Sequence, residues 1–263
     1  MPNMTEGTLA YDVEGEAGGI PLILVHPLGA DRRFWEECRR LFGGGVRAIA
    51  CDLRGAGSSP AATAPVTLER SVQDIALLKT HLGIERAVMI GCAVGAMVAA
   101  LYAARHPERT AGLVMANPGI KISEAAGADL AERARKVRCE GMQALLPGAI
   151  DNAFAGCTDE ANRRRYEQRF LSHDPDGYAW AALGLQGADL TGVLGLIRCP
   201  TMLVPGGLDG LFPAAMHAQE IARQVADAEL VAFEDGAHFI PYQQPGRFGE
   251  TVSSFLDRHR LRG

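Results

Sequence analysis

The stretch Gly91-Cys92-Ala93-Val94-Gly95 constrains this chain more than any other. An apolar run, Ala87-Val88-Met89-Ile90, leads into it, and a run of small residues, Ala96-Met97-Val98-Ala99-Ala100, leads out. A strand, a tight glycine-flanked turn and a helix form the context in which a G-x-S-x-G pattern presents a serine at the top of a sheet. Both glycines stand where the pattern needs them, but the serine position holds Ala93. A methyl group cannot attack a substrate. Cys92 does not replace the missing hydroxyl, because such a turn exposes only its central residue.

Around this turn, apolar strands alternate with helices. Strands are predicted at Thr8–Val13, Pro21–Val25, Val46–Cys51, Ala87–Ile90 and Gly112–Asn117, and later at Pro200–Pro205 and Glu229–Phe233. Thr67–Leu82 reads as an amphipathic helix, with Leu68, Val72, Ile75, Leu78 and Leu82 at helical spacing, Thr67 as cap and Gly83 as stop. Further helices are expected near Phe212–Val225 and from about Gly246 to His259. Continuous apolar strands between helices imply a mostly parallel central sheet covered by helices on both faces. From about residue 119 to 190 the pattern changes to charged helical stretches, such as Asp129–Cys139 and Glu160–Phe170. This predicts a helical lid at 119–190, inserted into an α/β core made of 1–118 and 191–263. With 263 residues, 48% of them hydrophobic, the chain has material for one large core.

Composition excludes several function classes. A net charge of −5 offers no electrostatic footprint for nucleic acid. No apolar run approaches the roughly 18 residues of a membrane span. Met1-Pro2-Asn3-Met4-Thr5-Glu6 lacks a basic region followed by an apolar run, so no secretory signal is expected. Six cysteines (Cys38, Cys51, Cys92, Cys139, Cys157 and Cys199) are scattered without a C-x-x-C pair. They read as reduced thiols of a cytoplasmic protein, with no metal site and no cofactor. The expected partner is a small-molecule substrate, with a homodimer left open.

Two more sites complete a triad in the order nucleophile, acid, histidine. Asp209 follows the late strand Pro200–Pro205, and His238 lies in Asp235-Gly236-Ala237-His238-Phe239, after the next strand. Alone, Asp209 would be a turn aspartate and His238 a loop histidine; their joint placement after strands points to chemistry. The histidine would move the nucleophile's proton, and the aspartate would fix the imidazole tautomer and stabilise imidazolium. Asp235 is too near His238 in sequence to be its acid. His81, His106, His173, His217 and His259 fall in helical stretches and read as surface histidines. His26-Pro27-Leu28-Gly29 follows an early strand, where one oxyanion-hole amide is expected. Pro27 has no N–H, so Leu28 is the donor there, and Val94, after the nucleophile position, is the second. His26 is expected to order this loop.

Taken with these motifs, the chain resembles the α/β-hydrolase superfamily over nearly its whole length. Within it the chain is similar to the 3-oxoadipate enol-lactonase branch. Carrying the resemblance are 27–35 (Pro27 to Trp35), Asp52-Leu53-Arg54-Gly55, Leu82 to Ala87, Ala104 to Arg109, Arg138 to Met142 and Asp174 to Tyr178. It implies a serine-type hydrolase of a small carboxylate-bearing ester or lactone, in aromatic catabolism. Cleavage of an amide, or of a C–C bond in a vinylogous diketone, stays open. A substrate carboxylate calls for an arginine: Arg138 in the lid first, then Arg32 or Arg33. Trp35 and Phe154 are added as substrate contacts. The chain departs from the branch at Ala93 and at Ala153-Phe154, where an aromatic pair is expected. Three readings of Ala93 stay open: a serine replaced to trap substrate, a natural lyase or cyclase working with Asp209 and His238 alone, and a ligand-binding module.

Overall fold

The computed structural model describes residues 8–214 and 216–262. Met1–Glu6, read above for a signal, lies outside the described residues. Among the described residues seven strands form one sheet: β1 (Tyr11–Gly15), β2 (Ile20–Val25), β3 (Val46–Cys51), β4 (Ala87–Cys92), β5 (Thr110–Ala116), β6 (Thr201–Val204) and β7 (Glu229–Leu230). Their order is β1-β3-β2-β4-β5-β6-β7. β1 runs antiparallel to β3, and the remaining pairings are parallel. The apolar runs take these positions because a parallel sheet is covered on both faces. Every residue of β4 and β5 is buried.

Nine α-helices are described: α1 (Leu68–His81), α2 (Val94–Arg105), α3 (Glu124–Glu140), α4 (Gly148–Ala153), α5 (Glu160–Leu171), α6 (Pro175–Gly184), α7 (Ala218–Gln224), α8 (Ile240–Gln243) and α9 (Pro245–Arg258). Thr67 caps α1 by accepting from the Arg70 amide, as its spacing predicts. α2 is buried from Gly95 to Ala104, and its alanines let it lie close against β4 and β5.

Several boundaries differ from the sequence reading by a residue or two, and three differ with a clear consequence. β1 starts at Tyr11 rather than Thr8. β7 ends at Leu230, although the Val231 and Phe233 amides still bond to Leu203 O and Pro205 O, so pairing continues irregularly. The helix expected near Phe212 begins only at Ala218, because the Asp209 carboxylate takes the Leu211 and Phe212 amides and Pro213 follows.

Residues 119–190 hold α3 to α6 and leave the sheet by a narrow stem. Ile122 N donates to Ala188 O at 2.8 Å and Leu190 N to Ile120 O at 2.9 Å, around a Lys121–Asp189 bridge. α3 packs along α6. The segment is tied back to the sheet loops by Tyr166 Oη to Gly29 O (3.1 Å), Arg169 Nη1 to Arg33 O (2.7 Å) and Val66 N to Trp180 O (3.0 Å). No described helix is long and apolar enough to cross a membrane.

Candidate active site

Ala93 sits between β4 and α2 at φ 52, ψ −117, a conformation that strains any residue with a side chain. Its N–H donates to Ala116 O at 2.9 Å, which fixes the turn to the end of β5. Space, rather than backbone angle, dictates the flanking glycines. A Cβ on Gly91 would lie 2.1 Å from Gly95 O, and one on Gly95 would lie 2.2 Å from Val25 O. The turn therefore packs its own backbone against itself and against β2, and projects residue 93 outward.

Asp209 and His238 meet across the carboxyl ends of β6 and β7. His238 Nδ1 lies 2.9 Å and 3.0 Å from the two Asp209 oxygens. The Asp209 carboxylate also accepts from the Leu211 and Phe212 amides (2.9 and 3.0 Å) and from Asn117 Nδ2 (3.0 Å). Burial is the largest influence on this carboxyl and pushes it up. The hydrogen bond and charge of His238, the Phe212 amide and the Asn117 amide outweigh burial and hold it below its ordinary value. Ionised Asp209 thus orients the ring with Nδ1 as donor, which leaves Nε2 as the free acceptor.

Asn117 is the functional candidate that sequence reasoning missed. It follows β5 at φ 48, a conformation asparagine tolerates better than most residues. Its side chain is fully buried and uses both ends. Nδ2 donates to Asp209 Oδ2 and to Ala237 O (2.7 Å), while Oδ1 accepts from the Ile240 amide (3.1 Å). One amide group thereby joins the acid to the backbone on both sides of His238.

Ala93, Val94, Pro27, Leu28, His238 and Phe239 line one cavity of about 180 Å³, whose far side comes from the 119–190 segment and includes Arg133, Ala153, Tyr166, Phe170 and Tyr178. Val94 is the first residue of α2, so its N–H has no acceptor inside the helix. Among the described residues, neither the Leu28 nor the Val94 amide donates to a protein acceptor. His26 stands behind this loop: Nδ1 bonds to Pro27 O and Nε2 accepts from the Leu53 amide, both at 2.9 Å. Burial pushes its pKa down, which suits a neutral ring holding two loops. Cys92 is buried beneath the turn, and burial raises its thiol well above the ordinary value. Its sulfur faces Asn117 and His238 O.

A family model described as the α/β hydrolase fold matches residues 20–245. The chain belongs to the α/β hydrolase fold family. This hydrolase is 27% identical over 255 residues to 3-oxoadipate enol-lactonase 2 of Acinetobacter baylyi, covering 95% of this chain and 93% of that one. It is 28% identical over 267 residues to a putative carbamate hydrolase of Variovorax paradoxus, covering 95% and 96%. Among solved structures it is similar to an enol-lactonase from Burkholderia xenovorans, with TM-score 0.90, 28% identity and coverage of 96% and 98%.

Several expected substrate contacts of this hydrolase fall outside the cavity. Arg138 lies over the Trp180 ring at 4.1 Å and pairs with Asp176 at 3.1 Å on the outer surface of α3 and α6. Arg32 bonds to Asp12 and Asp52, and Arg33 to Asp31, so both are spent in locking loops. Trp35 is fully buried against Phe34 and Phe248. Phe154 packs behind the wall on Tyr166, Phe239 and Tyr242, while its neighbour Ala153 faces the cavity. His217 is also corrected: it is buried, accepts from the Ile120 amide (3.1 Å) and meets edge-on Phe212, which in turn packs on His238. The arginine that does line the cavity is Arg133.

Proposed function

We propose that the site is that of a serine-type hydrolase for a small carboxylate-bearing ester or lactone, with alanine at its nucleophile position. Residue 93 is the point of attack on the carbonyl carbon, His238 the base and then the acid, and Asp209 its orienting carboxylate. The Leu28 and Val94 amides hold the oxyanion of the tetrahedral intermediate. The observation that carries this reading is the two-oxygen contact of Asp209 with His238 Nδ1, while the same ring and Ala93 line one cavity.

Arg133 takes the role first given to Arg138, Arg32 and Arg33. It is partly buried in the cavity wall beside Tyr178, and no ion pair engages it among the described residues. A guanidinium there suits a substrate carboxylate. Residues 119–190 act as the lid, since they supply the far wall and hang on a narrow stem. Similarity to enol-lactonases at 27–28% identity agrees with a lactone substrate. A carbamate is the second reading, favoured by the equal similarity to a putative carbamate hydrolase.

As written, the chain binds substrate and is impaired in acyl transfer. Ala93→Ser is expected to give turnover of a small lactone or activated ester in a steady-state assay. Adding His238→Ala is expected to remove that gain. A folded Ala93→Ser variant inert on lactones, esters and carbamates alike contradicts the reading.

A further inference from the structure

With alanine at position 93, this cavity holds a general base and two oxyanion donors but no nucleophile. A base plus oxyanion donors is the equipment for removing a proton from the carbon next to a carbonyl. We propose that the chain as it stands catalyses enolisation of small keto acids, with His238 as base and the Leu28 and Val94 amides as enolate donors. This rests on the reading of those three groups given above.

Three observations carry it. His238 uses Nδ1 on Asp209, and no described residue engages Nε2. A serine at 93 would offer its hydroxyl to that nitrogen; the Ala93 methyl leaves it open to the cavity. The Leu28 and Val94 amides line the same cavity without protein acceptors. Arg133 stands in the opposite wall, where it can take a carboxylate and set the ketone toward the floor. Apart from Arg133 and Asp129, the walls are mainly apolar (Ile122, Leu130, Ile150, Phe170), which keeps water from competing for the base.

The step balances without a further reactant. His238 Nε2 takes the proton from the α carbon, and the C–H electron pair becomes the C=C bond. The carbonyl π pair moves to oxygen, giving an enolate held by the Leu28 and Val94 N–H groups. Asp209 stabilises the imidazolium formed. The ring's proton exchanges with solvent and returns to carbon, so the net change is replacement of a carbon-bound hydrogen by a solvent hydrogen.

Proton NMR of 5-oxohexanoate in deuterated buffer tests this. The chain as it stands is expected to accelerate deuterium uptake beside the ketone about 10²-fold over buffer, the lower end for a positioned base. His238→Gln is expected to return the rate to that of buffer, with its fold checked by circular dichroism. Asp209→Asn keeps the imidazole and is expected to slow uptake about tenfold or more. Ala93→Ser is expected to exchange more slowly than the parent while gaining ester hydrolysis. Uptake at the buffer rate with the parent, or equal uptake with both folded variants, overturns the inference. If Ala93→Ser hydrolyses esters while the parent shows no exchange, the enolisation activity is wrong and the hydrolase reading stands. If the parent exchanges while Ala93→Ser is inert, the hydrolase reading is wrong and the base remains.

Discussion

The floor and the roof of the cavity are built on different principles. The floor consists of loops at the carboxyl ends of β2, β4, β5, β6 and the strand after it, and its polar groups are bonded to one another. Asp209 accepts from four residues, and Asn117 uses its donors and its acceptor on three. The roof, α3 to α6, presents mostly apolar and aromatic side chains, with Asp129 and Arg133 as its charged groups. A network in which each group is partnered admits one arrangement, because any unpaired buried member costs about 1–3 kcal/mol. Apolar walls are defined by volume, and volume-conserving exchange costs little. On the function proposed above, the floor would specify the chemistry and the roof the substrate.

This contrast orders the expected effects of mutation. In an Ala93→Ser background, Asp209→Asn attacks the floor at its centre and should lower kcat by about 10⁴-fold while the protein stays folded. A loss below about tenfold would mean that the carboxylate does not set the tautomer. Asn117→Leu keeps the branched shape but strands the Ala237 carbonyl and the Ile240 amide, and it leaves Asp209 Oδ2 with His238 as its remaining partner. Denaturant unfolding should show a loss of about 1–3 kcal/mol for each partner left without water, with kcat falling more than KM changes. An unchanged midpoint would show that the network is not what holds His238.

Roof substitutions should be milder and selective. Arg133→Met should raise KM for a carboxylate-bearing ester about tenfold, the worth of one charge-assisted bond, and leave a neutral ester of the same size unaffected. Equal effects on both esters would remove Arg133 as the anchor. The smallest effect is in pH. Asp209 is held below its ordinary value in the folded chain, so it adds stability above about pH 4, the unfolded carboxylate range, that is lost on further acidification. The stability gap between the parent and Asp209→Asn should narrow as pH falls from 5 to 3; a constant gap would contradict a lowered pKa.

Most of the floor was legible in the sequence. Gly91 and Gly95 mark a turn where a Cβ would strike backbone, and Asp209 and His238 lie just past apolar runs, so local signals locate all of them. Asn117 was hidden because it reads as the last residue of the strand Gly112–Asn117, whereas β5 ends at Ala116; its place at the carboxyl end of β5, beside the other site loops, was the available signal. The roof was not legible. Arg133 and Arg138 are five residues apart on α3, about 140° around the helix, and which face meets the cavity depends on how α3 packs on α6. Trp35 and Phe154 were misplaced for the same reason: large aromatics mark a buried position but not which side of the wall it is on.

The central claim is that position 93 is the point of attack. It is tested most directly by mass spectrometry of the parent and Ala93→Ser after exposure to a fluorophosphonate probe. The account predicts one phosphonyl adduct on the variant, mapped to the peptide containing position 93, with none on the parent. The adduct should also be lost when His238→Ala is added. An unlabelled but folded Ala93→Ser variant, or a label on Cys92 in the parent, would contradict it.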